Sequence, residues 1–426
     1  MQQHFASLAA LLMSLAAVPV AAQEWPRFRG PNGSGLSNAT TVPVTWSDED
    51  YAWRVDLPGM GNSSPVLWKG QLYVNCESDS GRTRILEKRD ARTGKLQWRQ
   101  EFGSSSHRTH KFNTYASSTP CVDEHHVYLA WGTPKELRLA AVDHSGQLVW
   151  QSESLGPVKG GHGFATSPIV HDNLVVIARD TEGKGDSALI ALDRKTGQTV
   201  WTVPRQGGRL NYSTPCVFQP QGRGAQLVFV AWPIGVTGID AASGKRAWEI
   251  AAFSTEQGER AIASPVVHND MIFATCAFTS SPKHLVALKP GPSGAPDDME
   301  EVWRVDNASV PHIPSLIVYD GRLYAWSDQG ICTCYEAETG RRIWQKRVGG
   351  RFFGSPVCVD GRLYCVDDAG ICVVIATGDT YKVLARNDLG EPCRATPAVA
   401  NGMMYLRTIS GLAAIGTYRG AGEIEE

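Results

Sequence analysis

The chain has no surplus of either charge. Its 41 Lys and Arg stand against 43 Asp and Glu, a formal −2 at pH 7. With no basic bias to neutralise a phosphate backbone, nucleic acid is not an expected partner. It lacks a run of 18 or more apolar residues, which leaves no membrane span to expect. No Cys-x-x-Cys-His sequence occurs, so there is no site for covalent haem. No stretch reads as an interdomain linker either, so most of the 426 residues, 42% of them hydrophobic, read as a single domain.

The longest apolar stretch, Leu8 to Val20, is of signal-peptide length and ends in Val20-Ala21-Ala22 before Gln23, the small residues that a signal peptidase requires. Residues 1–22 therefore read as a signal peptide. The protein is expected in the periplasm or outside the cell, and it is expected to be soluble. No Cys follows the stretch, so no lipid anchor is expected.

What the chain does have is turn residues, 43 Gly and 24 Pro, and a repeat. Asp90-Ala91-Arg92-Thr93-Gly94-Lys95-Leu96-Gln97-Trp98 recurs at Asp193–Trp201 and Asp240–Trp248, with Glu for Asp at Glu336–Trp344, and one residue shorter at Asp143–Trp150. Asp accepts backbone amides in a turn, Gly supplies positive φ, and Trp opens the next strand with an apolar face that one small sheet cannot bury. Each unit thus needs a neighbour. Upstream of these stretches lies a second signature: Ser64-Pro65, Thr119-Pro120, Ser167-Pro168, Thr214-Pro215, Ser264-Pro265, Ser355-Pro356 and Thr396-Pro397, with Ile313-Pro314-Ser315 filling the remaining slot out of register. Asp-Gly or Asn-Gly pairs at Asp360-Gly361, Asp320-Gly321 and Asn401-Gly402 follow at hairpin positions. Repeats of this length hold four short strands each.

The eighth repeat stops near Ile415 without a Trp strand, while Ala52-Trp53-Arg54-Val55-Asp56-Leu57 is a Trp strand without hairpins before it. Joining the two closes a ring and leaves no open edge. The resulting division is a signal peptide at 1–22, an amino-terminal arm at 23–51, eight repeats at 52–416 and a tail at 417–426. Two repeats depart from the pattern: Pro290–Pro296 is an insertion in the fifth, and in the seventh Thr377-Gly378-Asp379 leads to Leu384 in place of Trp. The long connections Gly103–Ala116 and Leu155–Gly163 are the loops where function is expected.

The Ser/Thr-Pro opening, the Leu-Tyr second strand and the Asp-x-x-Thr-Gly-x-x-x-Trp ending resemble the pyrroloquinoline-quinone-like repeat of eight-bladed β-propellers, over about residues 52–416. The resemblance implies an all-β fold of four-stranded antiparallel blades, and it reaches two branches of that superfamily. Quinoprotein alcohol dehydrogenases hold the quinone with calcium near the axis, beneath a disulfide between adjacent cysteines. BamB-like propellers are non-catalytic scaffolds that bind a partner through loops at one end. No two of the ten cysteines are adjacent here, and no carboxylate set matches the calcium ligands or the catalytic base. No catalytic residue or metal ligand is assigned. The expected function is exported, monomeric binding or scaffolding, without a cofactor, of a protein partner in the cell envelope or a small ligand at the axis. A quinone- and calcium-dependent alcohol dehydrogenase is the first alternative, and a propeller enzyme acting on carbohydrate the second.

Residues just before each innermost strand should ring one mouth of the channel. Asn62, Tyr115, His162, Asn211, Arg260, His312, Arg351 and Arg394 are the candidate binding residues there, with Phe164, Tyr212, Phe352 and Phe353 beside them. Cations and aromatics on one axis suit an anionic or aromatic ligand, or a protein loop; the plainer reading is a wet channel that tolerates polar side chains. His107-Arg108-Thr109-His110 reads as a solvated loop. Cys365 and Cys372 flank a turn at Asp367–Gly370, which makes them a candidate cross-strand disulfide.

Overall fold

The computed structural model describes residues 24–420, apart from 184, 255–257, 279–282, 294, 296 and 308. The expected signal peptide at 1–22 and the end of the tail lie outside the described residues. Among the described residues the chain forms eight antiparallel sheets around one axis, seven of four strands and one of five. The first blade is typical: Val66–Trp68, Gln71–Ser78, Thr83–Asp90 and Leu96–Gly103 follow one another outward. The eighth is built from both ends of the chain, as Tyr51–Asp56 pairs antiparallel with Gly411–Gly416 outside Met403–Arg407 and Ala398–Ala400. Among the described residues no helix is long and apolar enough to cross a membrane.

The repeated turn joins neighbouring blades. Asp90 accepts the amide and hydroxyl of Thr93, and Gly94 closes the turn at φ 71°. The Trp53 ring lies so close over Gly94 that a Cβ there would stand 2.7 Å from it. Trp53 Nε1 then donates to Ala91 O in the same turn. This pairing recurs around the ring: Trp98 Nε1 donates to His144 O, Trp150 to Arg194 O, Trp201 to Ala241 O, Trp303 to Ala337 O and Trp344 to Gly378 O. Each tryptophan thus buries its ring on the turn of the following blade and satisfies its single donor there. The exception falls beside the inserted fifth repeat, where Trp248 turns back to Gln226 Oε1 of its own blade.

A second belt runs near the axis. The backbone N–H of Ser64 donates to Thr119 Oγ1, Thr119 to Ser167 Oγ, Thr214 to Ser264 Oγ, Ser264 to Ser315 Oγ, Ser315 to Ser355 Oγ and Ser355 to Thr396 Oγ1. The Ser/Thr of the repeat opening is therefore an acceptor for the preceding blade, and Ser315 fills the slot that Ile313-Pro314 leaves out of register.

The amino-terminal arm runs across the innermost strands of the blades. Trp25 exchanges backbone hydrogen bonds with Leu67 of the first blade, and Pro26 O accepts from Val122 of the second. Arg27 donates to Pro215 O before the fourth blade and Arg29 to Leu316 O before the sixth. Leu36–Ser37 then adds a parallel strand to Val357–Val359 of the seventh, and Thr41 Oγ1 donates to Gly402 O of the eighth. Both arginines are buried without a carboxylate partner among the described residues, and desolvation pulls them down to about 10 and about 9 respectively.

The expected Cys365–Cys372 disulfide does not form. Cys365 sits opposite Val373 and Cys372 opposite Val366, so the two thiols point to opposite faces of the sheet. Cys365 packs between the sixth and seventh blades, and Cys372 between the seventh and eighth. All ten cysteines are buried and free.

Candidate functional site

Above the arm the channel widens into a chamber of about 1020 Å³, with Phe28 of the arm among its lining residues and the repeat openings forming its wall. Asn62, His162, Arg260, His312, Arg351 and Arg394 all line it, as the sequence suggests. Tyr115 and Asn211 do not. Tyr115 packs on Gly81 under the Arg84 guanidinium and donates its hydroxyl to His107 O. Asn211 uses its whole amide within the protein: Oδ1 accepts from Trp232 and Ala261, and Nδ2 donates to Trp232 O and Arg209 O. The neighbouring Tyr212 faces the chamber in its place. Phe164 and Phe352 are buried between blades, the latter edge-on to Trp326.

The connection from the first blade to the second is the largest departure from the reading of a solvated loop. Residues 104–116 reach over the mouth as a strap. His110 stacks on His162 at 5.0 Å with the rings 10° from parallel, and Asn113 Nδ2 donates to His162 O. Phe112, held by Asn62 Nδ2 on its carbonyl, meets Phe353 from the connection between the sixth and seventh blades at 4.8 Å. The Arg351 and Arg394 guanidinium groups lie 4.7 and 5.2 Å from the Phe112 ring centre, a cation–π arrangement.

Charge in the chamber is one-sided. Arg209, Arg260, Arg347, Arg351 and Arg394 face it, and Asp328 is the one carboxylate among the lining residues. Glu182 holds Arg260 at 2.7 Å and Asp368 holds Arg351. Asp328 accepts the His312 amide and stands 3.7 Å from the buried Lys283 ammonium. Burial pushes His312 down to about 4, against the pull of Asp328. Desolvation also lowers His110 and His162, reinforced at each by the Arg260 charge. These imidazoles are therefore neutral at pH 7, and the positive field comes from the arginines.

Arg209, Arg347, Asp328, Phe112 and Phe28 are chamber residues missed from sequence. Asp328 sits in the turn between the second and third strands of its blade, Arg347 at the end of an outer strand, and Phe28 on an arm with no periodicity.

Residues 38–153, 82–288 and 293–381 match the family model of the outer membrane protein assembly factor BamB. The chain belongs to this family. Across the superfamily it is also 23% identical over 282 residues to the quinohemoprotein alcohol dehydrogenase ADH-IIG of Pseudomonas putida, covering 58% of this chain but only 36% of that protein. The chain thus matches little more than a third of that relative's length. BamB from Moraxella catarrhalis superposes with a TM-score of 0.62 at 12% identity, covering 88% of this chain and 99% of that one. Quinohemoprotein alcohol dehydrogenase from Comamonas testosteroni gives 0.67, also at 12% identity, covering 95% and 82%. At such identities these structures share the fold, and function has to be argued from the site.

Proposed function

We propose that this protein is an exported, non-catalytic binding propeller that receives a ligand or a partner's loop in the chamber at its mouth. The observation that carries this reading is the lining, five guanidinium groups against one carboxylate beside a phenylalanine pair. Such a surface suits an acidic or aromatic guest. It suits a calcium ion poorly. Calcium takes six to eight oxygen ligands, several of them carboxylates as a rule, whereas Asp328 is engaged by His312 and Lys283. Among the described residues no group of three or more His, Cys, Asp and Glu is arranged to hold a metal. A calcium ion therefore does not fit this donor set.

The relationship to ADH-IIG favours a second reading, an alcohol-oxidising enzyme. Incubating the purified protein with pyrroloquinoline quinone, calcium and a panel of primary alcohols separates the two. The scaffold reading expects no reduction of an artificial electron acceptor above the protein-free blank, and turnover that depends on both quinone and calcium would sink it.

A further inference from the structure

Most of the buried side-chain atoms around the chamber that lack a hydrogen-bond partner can donate, with Asn62 Oδ1 the acceptor among them. Lys283, only 3% exposed, has no hydrogen-bond partner on its ammonium. His312 Nε2 and Arg394 Nε are likewise buried and unpaired. Arg209, Arg347 and Arg394 have no acidic partner among the described residues, so the glutamate and aspartate that neutralise Arg260 and Arg351 leave three cations over. Buried donors without acceptors are costly to leave unpaired, and a guest that brings acceptor oxygens relieves that cost.

Resting on the binding reading above, we propose that the chamber takes a compact polyanion, carboxylate or phosphate, seated against Arg209, Arg394 and His312 beneath the Phe112–Phe353 pair. Two features set the class. Three free guanidinium groups call for more than one negative charge, since planar forks pair best with carboxylate or phosphate oxygens. The roof of Phe112 and Phe353 bounds the guest above and Phe28 faces the same space from the arm, and a volume of about 1020 Å³ is that of a small-molecule site rather than a groove for a long chain. The strap crosses the mouth on one ring stack, one tilted ring contact, two cation–π contacts and the hydrogen bonds of Asn62 and Asn113.

Calorimetric titration of the full mature chain with pyrophosphate and with citrate tests this, with neutral sorbitol as control. One-to-one binding of at least one anion is expected. It should weaken at least tenfold between 50 and 300 mM salt, roughly as expected for several ion pairs being screened, and at least tenfold in Arg209→Gln or Arg394→Gln. Arg341→Gln, at an exposed turn away from the chamber, should bind as the parent does. Binding of pyrophosphate alone assigns phosphate, binding of citrate alone assigns carboxylate, and binding of both assigns charge and size. Silence with both anions, or affinity unchanged in correctly folded Arg209→Gln and Arg394→Gln, overturns the proposal. In that event the absence of quinone-dependent turnover would still leave the non-catalytic reading standing, while its presence would remove that reading separately.

Discussion

At the scale of single residues, His284 shows how a titratable group can be tied into the fold. Its ring lies between the fully buried Glu259, 3.3 Å away, and the half-exposed Asp306, 2.7 Å away, with Phe253 stacked beside it. Arg304 also reaches Asp306, and the Cys276 thiol sits directly across the strand pair. The neighbouring Glu259 carboxylate is the main cause that raises the His284 pKa, against desolvation. A raised folded pKa means that His284 contributes stability fully below the unfolded value of about 6.5, and that this contribution fades as pH rises through the folded value. Melting temperature should accordingly fall from pH 6 towards alkaline pH more steeply in the parent than in His284→Gln; parallel profiles would count against the pair. Gly244 offers a second residue-level test. At φ 71°, a Cβ on it would stand 2.7 Å from the Trp201 ring, so Gly244→Ala should lose about 1 to 3 kcal/mol in denaturant unfolding, with no effect on anion binding.

At the scale of elements, the strap and the arm bound the chamber from its two ends. If the strap governs access, Phe112→Ala should speed both entry and release of a bound anion in stopped-flow measurements, since it removes the contacts with Phe353, Arg351 and Arg394 together. Equal rates in parent and variant would make the strap a passive rim. The two elements also mark where sequence reasoning reached its end. Turns and tryptophan strands were legible because Asp-x-x-Thr-Gly and Trp carry their chemistry at fixed spacing, and because Gly94 and its counterparts have a single structural demand. Six of eight mouth residues follow from counting back from the repeat proline. Asn211 and Tyr212 were exchanged because adjacent residues in an extended connection face opposite ways, and nothing local sets which faces inward. Tyr115 was misplaced because its loop folds back on Gly81, a contact made only in three dimensions. The course of the arm across the axis depends on carbonyls from distant blades, such as Pro215 and Leu316, and these leave no local pattern.

At the scale of the whole molecule, the ring is held by two belts, tryptophan against turn outside and Ser/Thr against amide inside, and by the eighth blade's two-ended sheet. Trp53 is the tie between first and last blades: it pairs through its strand with Gly411–Gly416 and docks on the turn at Gly94. Trp53→Ala should cost about 3 to 5 kcal/mol and open the ring to proteolysis near both ends of the chain, while a loss below 1 kcal/mol would show that the belts suffice without the closing strand.

The arm that floors the chamber carries a further meaning when the chain is followed in the order of its synthesis. Residues 25–56 are made before the blades they join, and their partners outside the segment run from Leu67 to Thr417. Tyr51–Asp56 must wait for Gly411–Gly416, and Arg27 and Arg29 for the carbonyls of Pro215 and Leu316, none of which exists when they are made. Sequence separations of that size are the slow part of folding. The closing of the circle is then the last event in assembly, and a chain cut short before the eighth blade would leave Tyr51–Asp56 without the strand it pairs with.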